Sequence, residues 1–249
     1  MSAEISDFSA QMLMGKLHAT TRRHEMAVDY ALNGVRSLLD VAPRAYLSLS
    51  FGKQSLCLAH LAQRVRQDLP MYFLASTETW AMYDYERVIS EYTTRYLPNL
   101  TIIQTDRLNQ AADWKGARDL GDRDLQEMCP RTDWDGWLWG LAMDESRERK
   151  ITLSQGIAQH NAHPTLYQYA DGKWRGCPIM NWGLPDLAAY IHTHDIPLLN
   201  VYRRYGLTQR TTARMTKKMV RNSAMALARG MSGPALSNLI MRFPGTRVL

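Results

Sequence analysis

Short apolar runs at residues 44–47, 71–75 and 100–104 alternate with stretches of good helix formers, and no other feature constrains the fold of this chain so tightly. Strand and helix in alternation predict an α/β domain: a three-layer, mostly parallel twisted sheet with helices on both faces. In open sheets of this kind, ligands bind beyond the carboxyl ends of the strands. Two polar segments fall at such ends, Ser50-Phe51-Gly52-Lys53-Gln54-Ser55 after the first strand and Ser76-Thr77-Glu78 after the second. They are expected to face one site.

The first segment is a strand, a tight loop and a helix start in succession, a compact way to hold phosphate. Gly52 is free to take a positive φ, which turns successive N–H groups inward, and the new helix adds its unpaired N–H groups and positive dipole end. Lys53 brings a full charge, and the hydroxyls of Ser50 and Ser55 donate to phosphate oxygens. On its own the segment reads equally well as an ordinary strand-to-helix turn.

The remaining elements follow in order. Residues 8–39, the N-terminal helices of the domain, read as helical with Met26, Tyr30, Val35, Leu38 and Leu39 on one face, closed by Pro43. The helix after the loop runs to about residue 67, and another spans 82–96. Residues 105–133 are polar and are expected to form a long, partly helical, lid-like excursion. A fourth strand is predicted at 137–142, a hairpin with an Asp171-Gly172 turn at 166–175, and a helix at 184–194 opened by Pro185 and Asp186. Basic helices at 211–228 and 235–241 complete the chain, giving a nucleotide-binding domain at 1–210 and a basic helical tail at 211–249.

Charge is distributed unevenly along the chain. No acidic residue follows Asp195, yet Arg203, Arg204, Arg210, Arg214, Lys217, Lys218, Arg221, Arg229, Arg242 and Arg247 do. Such a block attracts polyanions and points to a nucleic acid, a multi-phosphate ligand or a partner protein; the alternative is a solvated basic face. No run is long enough to span a bilayer, and three scattered cysteines, Cys57, Cys129 and Cys177, suit a reducing, cytoplasmic setting. Cys57 is expected to be inert packing, and Cys129 alone to be exposed. No cysteine pair has metal-site spacing, and the histidine pairs His160/His163 and His192/His194 lack a placed partner, so no metal ligand is assigned.

A further cluster, Glu145-Ser146-Arg147-Glu148-Arg149, follows the fourth strand. Its arginines suit a bidentate anion clamp, but the same residues describe a surface helix start with local Glu–Arg pairs.

Taken together and in order, these segments resemble the phosphoadenosine phosphosulfate (PAPS) reductase family, within the adenine-nucleotide α-hydrolases or N-type ATP pyrophosphatases. Residues 50–55 look like the pyrophosphate loop S-x-G-K-[DQ]-S, and Ser76-Thr77-Glu78 lies where the family has a polar cluster. Residues 140–149 look like G-x-R-x-x-E-S-x-x-R. Cys177-Pro178-Ile179 through Trp182, Asp186, Tyr190 and Tyr202 follows the family's P-[IL]-x-x-W-x-x-x-D segment and its continuation. The resemblance spans about residues 44–206. It implies that Ser50, Phe51, Gly52, Lys53, Gln54 and Ser55 hold phosphates, with Ser76 and Thr77 near the nucleotide. Lys53 and Glu78 would be the catalytic pair, Glu78 helping to place Mg²⁺, and Glu145, Ser146, Arg147 and Arg149 would order a second anion site. The implied ligand is ATP or a PAPS-like adenine nucleotide, and for ATP the reaction is attack on the α-phosphate with release of pyrophosphate.

Two departures qualify this. Ala142 stands where the family has an arginine, so one anion ligand is missing or supplied from elsewhere. No cysteine follows Cys177, whereas thiol-dependent reductases carry their nucleophile in a C-terminal motif. A reductase would need an external thiol or Cys129, and a non-catalytic nucleotide-binding module is the remaining alternative.

Overall fold

The structure is a computed structural model and describes residues 7–105, 127, 133–157 and 163–211, excluding the side chains of 77, 78, 81 and 155–157. The expected lid-like excursion, Cys129, His160 and the tail beyond residue 211 lie outside the described residues. Two compact units are present: Met1–Phe73, Asp84–Ile102 and Arg131–Thr211 form the first, and Leu74–Tyr83, Ile103–Pro130 and Thr212–Leu249 the second. The residues analysed below as a site all belong to the first.

Two helices lead in, α1 (Asp7–His18) and α2 (Arg22–Val41). The helical stretch expected at 8–39 is thus two helices. Thr21 takes extended backbone angles and accepts a hydrogen bond from the His24 N–H at 3.2 Å, so a side-chain cap restarts the helix. Then follow β1 (Ala45–Leu49), α3 (Lys53–Val65), β2 (Met71–Ser76), a short α4 (Thr77–Met82), α5 (Tyr85–Tyr96) and β3 (Leu100–Thr105). After the undescribed stretch come β4 (Gly136–Trp139), α6 (Arg147–Ile157), β5 (Leu166–Gln168), β6 (Trp174–Gly176), α7 (Leu184–His194) and α8 (Asn200–Tyr205).

The strands form one sheet in the order β3-β2-β1-β4-β6-β5. β1 pairs in parallel with β2 and β4, β4 in parallel with β6, and the β5–β6 hairpin is antiparallel. The hairpin turn is the one the sequence announces, with Gly172 at φ 81°. β1 is thus central, and its carboxyl end delivers the 50–55 loop to the middle of the sheet. Chain order leaves β1 toward β2 on one side and returns to β4 on the other, which is the switch point where α/β sheets open a crevice.

On β1 the fully apolar, buried face is that of Ala45, Leu47 and Leu49. Leu47, Leu56, Leu58, Leu61, Phe73 and Leu138 are all fully buried. The PAPS-type residues of the 177–202 segment prove to be structural ties. Trp182, 2% exposed, donates its indole N–H to the Ala27 carbonyl of α2 at 3.2 Å. Asp186 accepts from the Gly183 N–H at 3.2 Å and caps α7, and the Tyr190 hydroxyl meets His60 Nδ1 of α3 at 2.8 Å. Among the described residues no helix is long and apolar enough to cross a membrane.

Candidate functional site

The loop between β1 and α3 owes its shape to Phe51 rather than to glycine. Gly52 has φ −72°, an angle open to any residue, while Phe51 takes φ 53°. The expectation of a positive φ at Gly52 is corrected here, and burial supplies the reason. Phe51 is fully buried against Phe73, Tyr85 and Tyr92, with ring centroids 4.8, 6.3 and 6.4 Å away. Burying a phenylalanine contributes about 1.5–3 kcal/mol, whereas the left-handed conformation costs about 1–2 kcal/mol. Packing therefore outweighs the backbone preference and fixes the turn. A Cβ at Gly52 would lie 3.2 Å from Thr211 Oγ1, a tight contact that a small shift relieves, and 3.5 Å from the Tyr202 hydroxyl, an ordinary one.

Inside the turn the two serines brace each other. The Ser50 and Ser55 hydroxyls are 3.0 Å apart, Ser55 Oγ accepts from the Ser50 N–H at 3.3 Å, and it donates to the Gly52 carbonyl at 3.0 Å. Gly140 closes on the same turn from the end of β4. A Cβ at that position would meet Ser55 Cα at 2.7 Å and Ser55 N at 2.8 Å, so only glycine allows the approach. That approach also ends β4 at Trp139, short of the strand end expected at 142.

A cleft of about 190 Å³ opens at the first turn of α3. Its polar lining includes Lys53, Gln54, Asp144, Glu145 and Arg210, and its apolar wall is made by Trp182, Leu184, Leu187 and Leu207. Lys53 is 4% exposed and lies over the Tyr202 ring, with Nζ 5.2 Å from the centroid. Burial, then the charges of Arg149 and Arg210, lower its pKa to about 8. The Lys53 ammonium donates to the Gln209 carbonyl at 2.9 Å, and its backbone N–H donates to the Tyr202 hydroxyl at 3.3 Å. That hydroxyl is 2.6 Å from Thr211 Oγ1. Polar atoms of 202–211 thus occupy the hydrogen-bonding positions that a phosphate would take at the start of α3.

In the Glu145–Arg149 cluster the structure shows the local pairing of a helix start. Glu145 and Arg149 form an ion pair one turn apart, and Ser146 Oγ accepts from the Arg149 N–H at 3.2 Å, which opens α6. Burial, then the charge of Arg210, lowers the Arg149 pKa, and the Arg149 charge in turn lowers that of Lys53. Arg147 is exposed and does not line the cleft. Ala142 does line it, 1% exposed. The cation absent at that position is matched by Arg210 entering the same cleft from the 206–211 segment.

Ser76 is fully buried and caps α4, with its oxygen 3.3 Å from the Thr79 N–H and 3.1 Å from the Thr79 hydroxyl. The side chains of Thr77 and Glu78 are outside the described set. Cys57 and Cys177 are buried thiols; burial raises both, Cys177 to about 11. Neither is a nucleophile poised at neutral pH.

Sequence reasoning missed four contributors: Tyr202, the Gln209 carbonyl, Arg210 and Asp144. Tyr202 closed the recognised motif and Arg210 stood in the basic block, so each carried a signal without a role. A backbone carbonyl carries none.

Residues 44–206 match the phosphoadenosine phosphosulfate reductase domain, and the chain belongs to that family. No curated protein matches it. Its fold is similar to that of phosphoadenylyl-sulfate (PAPS) reductase from Candida auris in a phosphate complex, at 15% identity and TM-score 0.50, covering 74% of this chain and 87% of that one. The U34-tRNA thiolase NcsA from Methanococcus maripaludis, with its [4Fe-4S] cluster, is also similar, at 13% identity and TM-score 0.46, covering 90% and 81%.

Proposed function

We propose that this protein is an adenine-nucleotide enzyme that takes ATP or a close relative and cleaves or transfers at the α-phosphate, releasing pyrophosphate. The observation that carries this reading is that Lys53 and Arg210 line one cleft at the first turn of a thirteen-residue helix, with Arg149, paired to Glu145, near enough to act on the Lys53 charge. Three cations and a helix N-terminus suit an anion carrying several charges. Lys53 neutralises charge on the transferred or departing phosphate, Arg149 and Arg210 hold the far end, and the apolar wall around Trp182 and Leu187 excludes water.

Asp144 and Glu145 are the carboxylates lining the cleft. They are hard oxygen donors of the type Mg²⁺ takes together with phosphate oxygens, so they fit as its protein ligands. When bound, the ion would neutralise phosphate charge. The cleft as described is smaller than the roughly 300–1,000 Å³ of a typical ligand site. Entry of a whole nucleotide therefore requires the Gln209 carbonyl to leave Lys53.

Thiol-dependent reduction of PAPS is the second reading. Against it stand the two buried thiols and the absence of any cysteine after Cys177. The basic block after Asp195 supports a polyanionic acceptor or partner, a nucleic acid in this reading, and a cytoplasmic setting is part of it.

The test is turnover of α-labelled ATP and of PAPS by the full chain, alone and with added RNA or DNA. Pyrophosphate release that disappears in Lys53→Ala is the expected result. Sulfite release from PAPS with added thiol, without pyrophosphate release from ATP, would replace this reading with the reductase. Nucleotide binding without turnover of either would leave a binding module.

A further inference from the structure

Away from the cleft, three side chains from three helices converge. His18 is the last residue of α1, His24 lies in the first turn of α2, and Asp186 in the first turn of α7. The break at Thr21 turns the chain so that the two imidazoles face each other, centroids 5.5 Å apart at 60°. His18 Nε2 is 2.8 Å from Asp186 Oδ1 and His24 Nδ1 is 3.8 Å from the same oxygen. The three candidate ligand atoms lie within 4.8 Å of one another.

A hydrogen-bonded clamp between α1 and α7 explains only the first of these contacts. His24 is 6% exposed, and its Nδ1 is buried without a hydrogen-bond partner, 3.8 Å being out of reach. A buried polar nitrogen left in this state costs about 1–3 kcal/mol. It lies 3.8 Å from the carboxylate oxygen that His18 already contacts. A cation among the three would satisfy all of them.

We propose that His18 Nε2, His24 Nδ1 and Asp186 Oδ1 bind one divalent transition-metal ion of the Zn²⁺ class, with water in the fourth position. Bond lengths of about 2.0–2.1 Å in a tetrahedron place ligand atoms about 3.3 Å apart. The observed 2.8 and 3.8 Å bracket that spacing, so small rotamer adjustments suffice. Two imidazoles and one carboxylate select Zn²⁺, Co²⁺ or Ni²⁺ over Mg²⁺ or Ca²⁺, which prefer all-oxygen sets.

The surroundings hold this ligand set in place. Asp186 Oδ2 is fixed by the Gly183 N–H at 3.2 Å, leaving Oδ1 for the ion, as outer hydrogen bonds usually orient ligating carboxylates. Gly15, one turn before His18, packs so close to Ala188 of α7 that a Cβ would come within 2.5 Å of its carbonyl carbon, which sets the height of α1 on α7. The His18 side chain is 15% exposed, giving the ion and its water a way in. The metal would staple the N-terminal helices to α7, whose first turn also walls the nucleotide cleft through Leu184 and Leu187. It is separate from any Mg²⁺ carried by the nucleotide, and its test does not depend on turnover.

Full-length protein stripped with chelator is titrated with Co²⁺ and then Zn²⁺, without nucleotide. One equivalent of Co²⁺ is expected to give visible d–d bands of tetrahedral intensity, which Zn²⁺ abolishes, and Zn²⁺ raises the melting temperature. His24→Gln and His18→Ala each weaken Co²⁺ binding at least about tenfold. Both remove a ligand without touching the α7 cap, and circular dichroism checks that they fold. Absence of stoichiometric binding to the wild-type chain overturns the site. So does Co²⁺ binding that survives both substitutions unchanged, which would place the ion elsewhere.

Discussion

Lys53 carries most of the electrostatic argument, and its state depends on pH. Burial and the neighbouring Arg149 and Arg210 hold its pKa at about 8, below the usual 10.5. The residue is charged below about pH 8 and neutral above it. Nucleotide affinity is therefore expected to hold up to about pH 8 and then fall by up to about tenfold per pH unit. The dissociation constant measured across that range checks this, and Lys53→Ala should bind weakly with a flat profile. The stability effect has the opposite sense. Between about pH 8 and 10.5 the unfolded chain binds more protons at this lysine than the folded one, so this contribution to stability rises with pH. Arg210→Ala should weaken binding roughly tenfold, the scale of one charge-assisted contact, and isothermal titration measures it. Phe51→Ala relieves no left-handed strain, because alanine shares it, and removes a buried ring. The expected loss is about 3–5 kcal/mol in denaturant unfolding.

At the scale of elements, two glycines set distances that no other residue permits. Gly140→Ala pushes a methyl against the backbone of Ser55, and Gly15→Ala pushes one against Ala188. Each is expected to cost about 1–3 kcal/mol as an overpacked contact. Only Gly140→Ala should also weaken nucleotide binding, since it moves the start of α3; paired urea melts and binding measurements separate the two. Element identity was largely legible in the sequence. The helix at 184–194 and the hairpin at 166–175 stand where periodicity, Pro185 and the Asp171-Gly172 turn put them. The break between α1 and α2 was not, because Thr21 in a polar helical stretch looks the same whether it caps or continues. The early end of β4 was equally hidden, since it depends on Ser55, eighty-five positions away in the chain and adjacent in space.

For the whole molecule, ligand linkage gives the most direct check on the proposed function. A nucleotide at about a hundred times its dissociation constant adds about 2.7 kcal/mol and should raise the melting temperature by roughly 5–10 °C in a chain of this size. Lys53→Ala should show no such shift. The sequence by itself determined the class of fold, the place of the 50–55 loop and the family, because these rest on local periodicity and on residues close together in the chain. It also marked Glu145 and Arg149 as partners one helical turn apart. The tertiary structure decided what the loop meets: the Tyr202 hydroxyl, the Gln209 carbonyl and Arg210, brought back from about a hundred and fifty residues away. It also decided that Phe51 takes the left-handed turn, and that His18, His24 and Asp186 share one pocket. Contacts across such separations are set by how helices pack on the sheet, and packing depends on all the buried side chains together rather than on any one stretch of them.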